Sequence, residues 1–382
     1  MHTLHPITLL KALRRNLGFL CLALVLGLSF TACSDDDDDN GNGDTTPTPP
    51  ETYAGFDNVS YSGQTTRLNQ LEELTTYMKN ANSEQTVDAQ TMKDMYRNDN
   101  DPFSFTADKE LLNKTFAPDT AQFLQWMDEF AAATQAMTPG TPGSNGTPGV
   151  VTSNDGNKQY FFDANGMEHI QLIEKGLMGA VFYYQIAEVY TREGKIGAAV
   201  DNSEDSFEEG RGTDKEHHFD EAYGYLGVPP DFPNTTDGAR FYGKYCNGRD
   251  GLIGSNQAWA DAFTACRFAI SQKMEQSEID QRAAVCRREV ERVIAGTAIH
   301  YLNGGINNFA DDALRNHELS EAIAFVRALK YNADALISQS QIDDIIDNKI
   351  GANLYEVDVN KLEEARDELA QLYDLEDVKT DL

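Results

Sequence analysis

Apolar residues recur every three or four positions over most of the chain after residue 52, the spacing of one face of an α-helix. Leu68, Leu71, Leu74 and Met78 mark one such stripe, and Phe123, Trp126, Met127 and Phe130 mark another, opened by Pro118-Asp119. A long helical segment is expected from Gly166 to Tyr190, with His169, Leu172, Ile173, Leu177, Ala180, Tyr184, Ala187 and Tyr190 in register. Further helices are expected over Gln257–Ile294, Asp312–Tyr331, Ser340–Asn348 and Asn360–Tyr373. Sustained strand alternation is absent, apart from a hairpin expected over Val150–Phe162. Thr138–Gly149 is rich in Pro, Gly, Ser and Thr and reads as a loop. Asp201–Gly254 reads as a longer, charged and glycine-rich loop with one short helical piece.

These patterns predict an all-α fold of two packed helical bundles. The body, residues 52–382, exceeds the roughly 250–300 residues over which one core usually grows. The expected halves are residues 52–230 and 231–382, joined through the 201–254 region. An echo across the halves hints at a degenerate duplication. His217-His218-Phe219-Asp220-Glu221-Ala222-Tyr223-Gly224-Tyr225 and His317-Glu318-Leu319-Ser320-Glu321-Ala322-Ile323-Ala324-Phe325 share His-x-x-x-Glu-Ala-x-x-aromatic. Gly179-Ala180-x-x-Tyr183-Tyr184 against Gly296-Thr297-x-x-His300-Tyr301 is a weaker pair.

The first 32 residues have a different pattern. Lys11, Arg14 and Arg15 precede the apolar run Leu17–Phe30, which is shorter than the about 20 residues that span a bilayer. Thr31 and Ala32 then lead to Cys33, followed at once by Ser34 and Asp35–Asp39. This arrangement reads as a bacterial lipoprotein signal, cut before Cys33 so that its thiol is acylated. Residues 33–51, acidic and broken by Gly and Pro, read as an extended tether. An acidic run directly after the acylated cysteine resembles the surface-export signal of Bacteroidota lipoproteins. The expected location is the outer membrane, facing the medium; a periplasm-facing lipoprotein with the same run as a spacer is the alternative.

Charge narrows the partners. With 62 acids against 31 bases the formal net charge is −31, which repels nucleic acid. Cys246, Cys266 and Cys286 fit no metal or haem spacing and read as structural. No phosphate-cradling loop, Gly-x-Ser-x-Gly or His-Glu-x-x-His is present, so no enzyme motif is recognised. The one metal-like constellation is the echo. His217 and Glu221, His218 and Glu221, and His317 and Glu321 each share a helix face. If the two copies meet, they offer a nitrogen and oxygen site of the kind that bundles use for iron, zinc or manganese. The same spacing also serves histidines paired with a carboxylate one turn away, with no metal.

Tyr61-Ser62-Gly63-Gln64 before Arg67-Leu68, then Ile173-Glu174-Lys175-Gly176-Leu177-Met178-Gly179-Ala180, then His217–Tyr225 together resemble the lipoprotein family of domain of unknown function 4856. More distantly the chain resembles imelysin-like proteins, which are exported, built from helical bundles and linked to iron uptake. Their Gly-x-His-x-x-Glu is matched by His218 and Glu221, with Glu216 at the glycine position; near Gly166, His169 stands one place too late. These resemblances imply a surface lipoprotein that binds a ligand or partner in nutrient uptake, iron or haem first. The alternatives are a glycan-binding partner of an outer-membrane transporter and an interaction protein with no small ligand.

Overall fold

Helices make up most of the chain over residues 47–382, which a computed structural model describes. Helix α1 (Ser62–Met78) buries Leu68, Leu71, Leu74 and Met78, the expected stripe. Helix α2 (Ala89–Arg97) is capped by Asp88, whose carboxylate accepts from the Thr91 N–H at 2.8 Å, and it stops at Asn98, φ +55°. Helix α3 (Thr120–Ala136) buries Phe123, Trp126, Met127 and Phe130. Strands β1 (Gly149–Thr152) and β2 (Gln159–Phe162) then pair antiparallel, with Val150 opposite Phe161, so the hairpin forms where alternation placed it.

Helix α4 (His169–Leu177) is buried at every residue and continues through two π-helical stretches, Met178–Tyr183 and Gln185–Tyr190. Such stretches are uncommon and occur often near functional sites. Next come α5 (Glu193–Ile196), α6 (Asp214–Gly224), α7 (Tyr242–Ile253), α8 (Ser255–Ser271), α9 (Gln276–Asn307) and α10 (Asp312–Ala328). Helix α11 (Gln339–Asp343) runs into a π-helical stretch, Asp344–Ile350, and α12 (Val359–Leu372) closes the fold. Helix α6 has a full capping box: Thr213 Oγ1 accepts from the Glu216 N–H, and Glu216 accepts from the Thr213 N–H.

Two differences from the sequence pattern have clear causes. The expected segment Gln257–Ile294 is two helices, α8 and α9, because the chain turns at Lys273, φ +52°. The 201–254 region contains α6 and all of α7 rather than one short piece. Charged α6 buries a face through hydrogen bonds as well as apolar contacts, which weakens its apolar period.

The all-α architecture expected from the periodicity is present, with the hairpin as its one sheet among the described residues. Helix α9 packs on α8, α10 and α12, and α10 also packs on α4. The segments 52–230 and 231–382 therefore share one core, in which Leu71, Phe130, Ile173 and Ala180 meet Val290, Phe325 and Leu369. Each buried large apolar side chain contributes about 1.5–3 kcal/mol. Glu291 ties several elements together inside that core. It accepts from Tyr183 OH (3.1 Å), Tyr373 OH (2.8 Å), Asn332 Nδ2 (2.5 Å) and the Leu336 N–H (2.9 Å). Cys246, Cys266 and Cys286 are buried free thiols. No helix among the described residues is long and apolar enough to cross a membrane. Cys33 and the Asp35–Asp39 run lie outside the described residues.

Candidate functional site

The residues of the echo sit in two separate surroundings. On α6, His217 Nε2 is 4.0 Å from Glu221 Oε2, one turn away as the spacing requires. Glu221 Oε1 accepts from Gln64 Nε2 at 2.9 Å and from Tyr190 OH at 3.0 Å. His218 Nδ1 lies 2.9 Å from the Lys195 carbonyl and its Nε2 3.2 Å from the Lys195 ammonium. Only a ring protonated on Nδ1 alone satisfies both contacts. Burial lowers the pKa of both histidines, which favours those neutral rings.

The rest of α6 clamps the start of the folded body. Asp220, wholly buried, accepts from Tyr53 OH at 2.6 Å and from Arg267 Nε at 2.7 Å; Arg267 Nη1 reaches Glu216 at 2.7 Å. Tyr223 stacks on Tyr53 with ring centroids 3.6 Å apart. The segment with the most specific sequence signature thus holds residues 53–61 against α6 and α8.

On α10, His317 Nδ1 is 2.6 Å from Glu168 Oε2, and its ring stacks on Tyr160 at 4.0 Å. Burial pulls the imidazolium down, but the carboxylates of Glu168, Glu321 and Glu318 outweigh it and hold His317 up at about 9. Glu321 Oε1 instead faces Lys175 Nζ at 3.5 Å. Among the described residues no three His, Cys, Asp or Glu side chains group to hold a metal ion. The pairs His217–Glu221 and His317–Glu321 do not build one site. Helix α6 packs on α1 and α8 while α10 packs on α4 and α9; Glu221 Oε1 is held by Gln64 and Tyr190, His317 Nδ1 by Glu168, and Glu321 Oε1 faces Lys175.

A cleft of about 360 Å³ lies beside Lys175. Its walls are the last turns of α1 (Glu72, Thr75, Thr76) with Lys79 just beyond them, Glu174 and Lys175 of α4, and the entry to α7 (Arg240, Phe241, Lys244, Tyr245). The floor is polar and buried. Lys175 and Glu174 are each only 8% exposed, with Lys175 Nζ 3.0 Å from Glu174 Oε2 and 5.5 Å from the Tyr245 ring centre. Burial disfavours the ammonium, but Glu174 and Glu321 overcome this and keep it charged. Thr75, 4% exposed, has a hydroxyl with no hydrogen-bond partner. Thr66 and Thr76 of the same helix each donate to the carbonyl four residues back, at 3.1 and 2.9 Å.

The opposite wall is held in a costly conformation. Phe241 has φ +49° and ψ −121°, a backbone state that a bulky residue adopts at about 1–3 kcal/mol. The contacts around it leave little choice. The Arg240 N–H donates to the Gly227 carbonyl at 2.7 Å, and a Cβ on Gly243 would stand 2.6 Å from the same oxygen. The Phe241 ring then meets Phe182 edge-on at 5.5 Å.

The family model of the Domain of unknown function (DUF4856) matches residues 52–376. The chain belongs to this family. The match carries no link to the imelysin-like proteins. No curated protein and no solved structure matches the chain. Two of the segments that pointed to DUF4856 now have distinct structural places: His217–Tyr225 forms the clamp, and Glu174-Lys175 forms the floor of the cleft.

The cleft residues of this DUF4856 chain were only partly visible in its sequence. Glu174 and Lys175 carry a signal, two adjacent charges inside a helix otherwise suited to burial. Thr75, Arg240, Phe241 and Lys244 carry none, because their roles arise from the tertiary contact between Gly227 and the 240–243 turn. The cleft lining contains no His, Cys or Met, and each of its two carboxylates already faces a cation: Glu174 faces Lys175, and Glu72 faces Arg240 at 3.2 Å. That donor set does not fit iron, zinc, manganese or haem.

Proposed function

We propose that this protein is a lipid-anchored surface lipoprotein that captures a small polar solute in the cleft above Lys175, in support of nutrient uptake through an outer-membrane transporter. The observation that carries this is the buried polar floor: the Lys175–Glu174 pair and the unpartnered Thr75 hydroxyl beneath a mouth framed by Phe241. A buried ion pair contributes little net stability, and apolar residues of similar size would often serve the fold as well. An unsatisfied buried hydroxyl costs about 1–3 kcal/mol. The cleft is at the small end of the roughly 300–1,000 Å³ range for small-molecule sites.

The anchor part of the proposal is supported by the Cys33 junction and the acidic tether of the sequence. A glycan partner receives less support. Trp126 and Trp259 are 7% and 1% exposed, and the indole of Trp259 donates to the Glu289 carbonyl at 3.0 Å, so neither offers a face for sugar stacking.

The test is solute capture. The chain carrying Cys33→Ala is dialysed against a soluble cell extract, washed, denatured and its released solutes identified by mass spectrometry. Thr76→Trp, at an exposed position on the cleft wall, blocks the mouth. Capture by the parent and loss in Thr76→Trp is expected. Equal capture by both proteins would remove the cleft from the mechanism.

A further inference from the structure

We infer that the cleft selects small solutes bearing a carboxylate or phosphate group, an assignment that rests on the cleft being the binding site. The chain has twice as many acids as bases, 62 against 31, yet the cleft reverses that balance. Lys79, Lys175, Arg240 and Lys244 line it against Glu72 and Glu174.

The four cations divide into two kinds. Arg240 is already engaged: its Nη1 donates to Asn69 Oδ1 at 2.6 Å and lies 3.2 Å from Glu72. Lys175 is shared between Glu174 and Glu321. Lys79 and Lys244 are exposed at the walls, and neither makes an ion pair among the described residues. Both charges are therefore free for an incoming group. Behind them the buried Thr75 hydroxyl has no partner in its own helix. Charge-assisted bonds from ammonium groups are the strong contacts of such a site. A lipoprotein surface so acidic elsewhere repels the same anions, so the cleft becomes their preferred landing point.

Neutral sugars suit the cleft less well. Sugar binding uses open aromatic faces, and the two rings here are occupied. The Lys175 ammonium sits over Tyr245, whose ring also meets Phe325 edge-on at 4.8 Å, and Phe241 is packed on Phe182. What remains accessible is the pair of free lysines.

Isothermal titration of the full chain carrying Cys33→Ala tests this with citrate, succinate and inorganic phosphate, against succinamide and glucose as neutral probes. At least one of the anions is expected to bind saturably, one per chain, and more weakly as salt rises. The Lys79→Gln, Lys244→Gln double variant is expected to bind it at least tenfold more weakly; both positions are exposed, so the fold is kept. The carboxylate and phosphate arms decide which group the site prefers. The selectivity is overturned if none of the anions binds, if succinamide binds as tightly as succinate, or if the double variant binds like the parent. A neutral probe that binds the parent and the lysine variant alike but not Thr76→Trp would overturn anion selectivity while keeping the cleft. Anion binding that survives Thr76→Trp would remove both.

Discussion

His317 carries the clearest pH signature of the molecule. Its folded pKa, raised to about 9 against burial by Glu168, Glu321 and Glu318, exceeds the unfolded value of about 6.5. A group raised in the folded state binds its proton more tightly there, so its contribution is complete below about pH 6.5 and is lost as pH rises through about 9. The unfolding free energy from urea titrations should therefore fall between pH 6.5 and 9.5, by about 1–3 kcal/mol, and Glu168→Gln should flatten that slope. A midpoint that holds steady over this range in the parent would refute the pairing. Arg267 makes a second case. Removing it leaves Asp220 buried without its cation, which costs about 3–5 kcal/mol, so Arg267→Met should lower the unfolding free energy by that amount. Replacing Asp220 by Leu in the same chain should restore much of the loss; additive losses would show that the pair is not the cause. The sequence marked His217, His218, Glu221, His317 and Glu321 as chemically notable, and each does make a specific polar contact. It could not place them, because whether two helical faces converge is decided by packing and not by spacing along either helix.

Elements were most legible where one face meets one core. The stripes of α1 and α3 and the hairpin stand where alternation put them, since burial there is simple and one-sided. Legibility failed at α8 and α9, where apolar periodicity runs on across a turn set by Lys273 at positive φ. It failed also at α7, a second helix in the 201–254 region where one short piece was expected. The continuation of α4 to Tyr190 follows the expected register, but nothing in its apolar period distinguishes π-helical from α-helical winding. Close packing there gives a sharp prediction. Gly→Ala inside a helix ordinarily gains about 1 kcal/mol. At Gly179 the added Cβ would stand 2.8 Å from Ala328 Cβ and 3.2 Å from its Cα, and neither atom can swing aside. Overpacking of this kind costs about 1–3 kcal/mol, so Gly179→Ala should destabilise the protein, read as a lower thermal midpoint. A higher midpoint would mean that the segment has room to yield.

At the scale of the whole molecule, the proposed anchor is legible only in the sequence and the cleft only in the structure. Cys33→Ala should release the protein from membranes in cell fractionation, and retention of that variant in the membrane fraction would defeat the acylation claim. Replacing Asp35–Asp39 with alanine should reduce protease accessibility on intact cells if the acidic run directs surface export; unchanged accessibility would leave it a spacer. Both tests concern where the protein works. What it does there turns on the cleft, and hydrogen–deuterium exchange of the Cys33→Ala chain with and without its captured solutes reads that directly. Protection is expected in peptides covering residues 72–79 and 239–245, and it should vanish in Thr76→Trp. Bound solute with unchanged exchange in both peptides, or protection confined to α6, would contradict the cleft as the site of function.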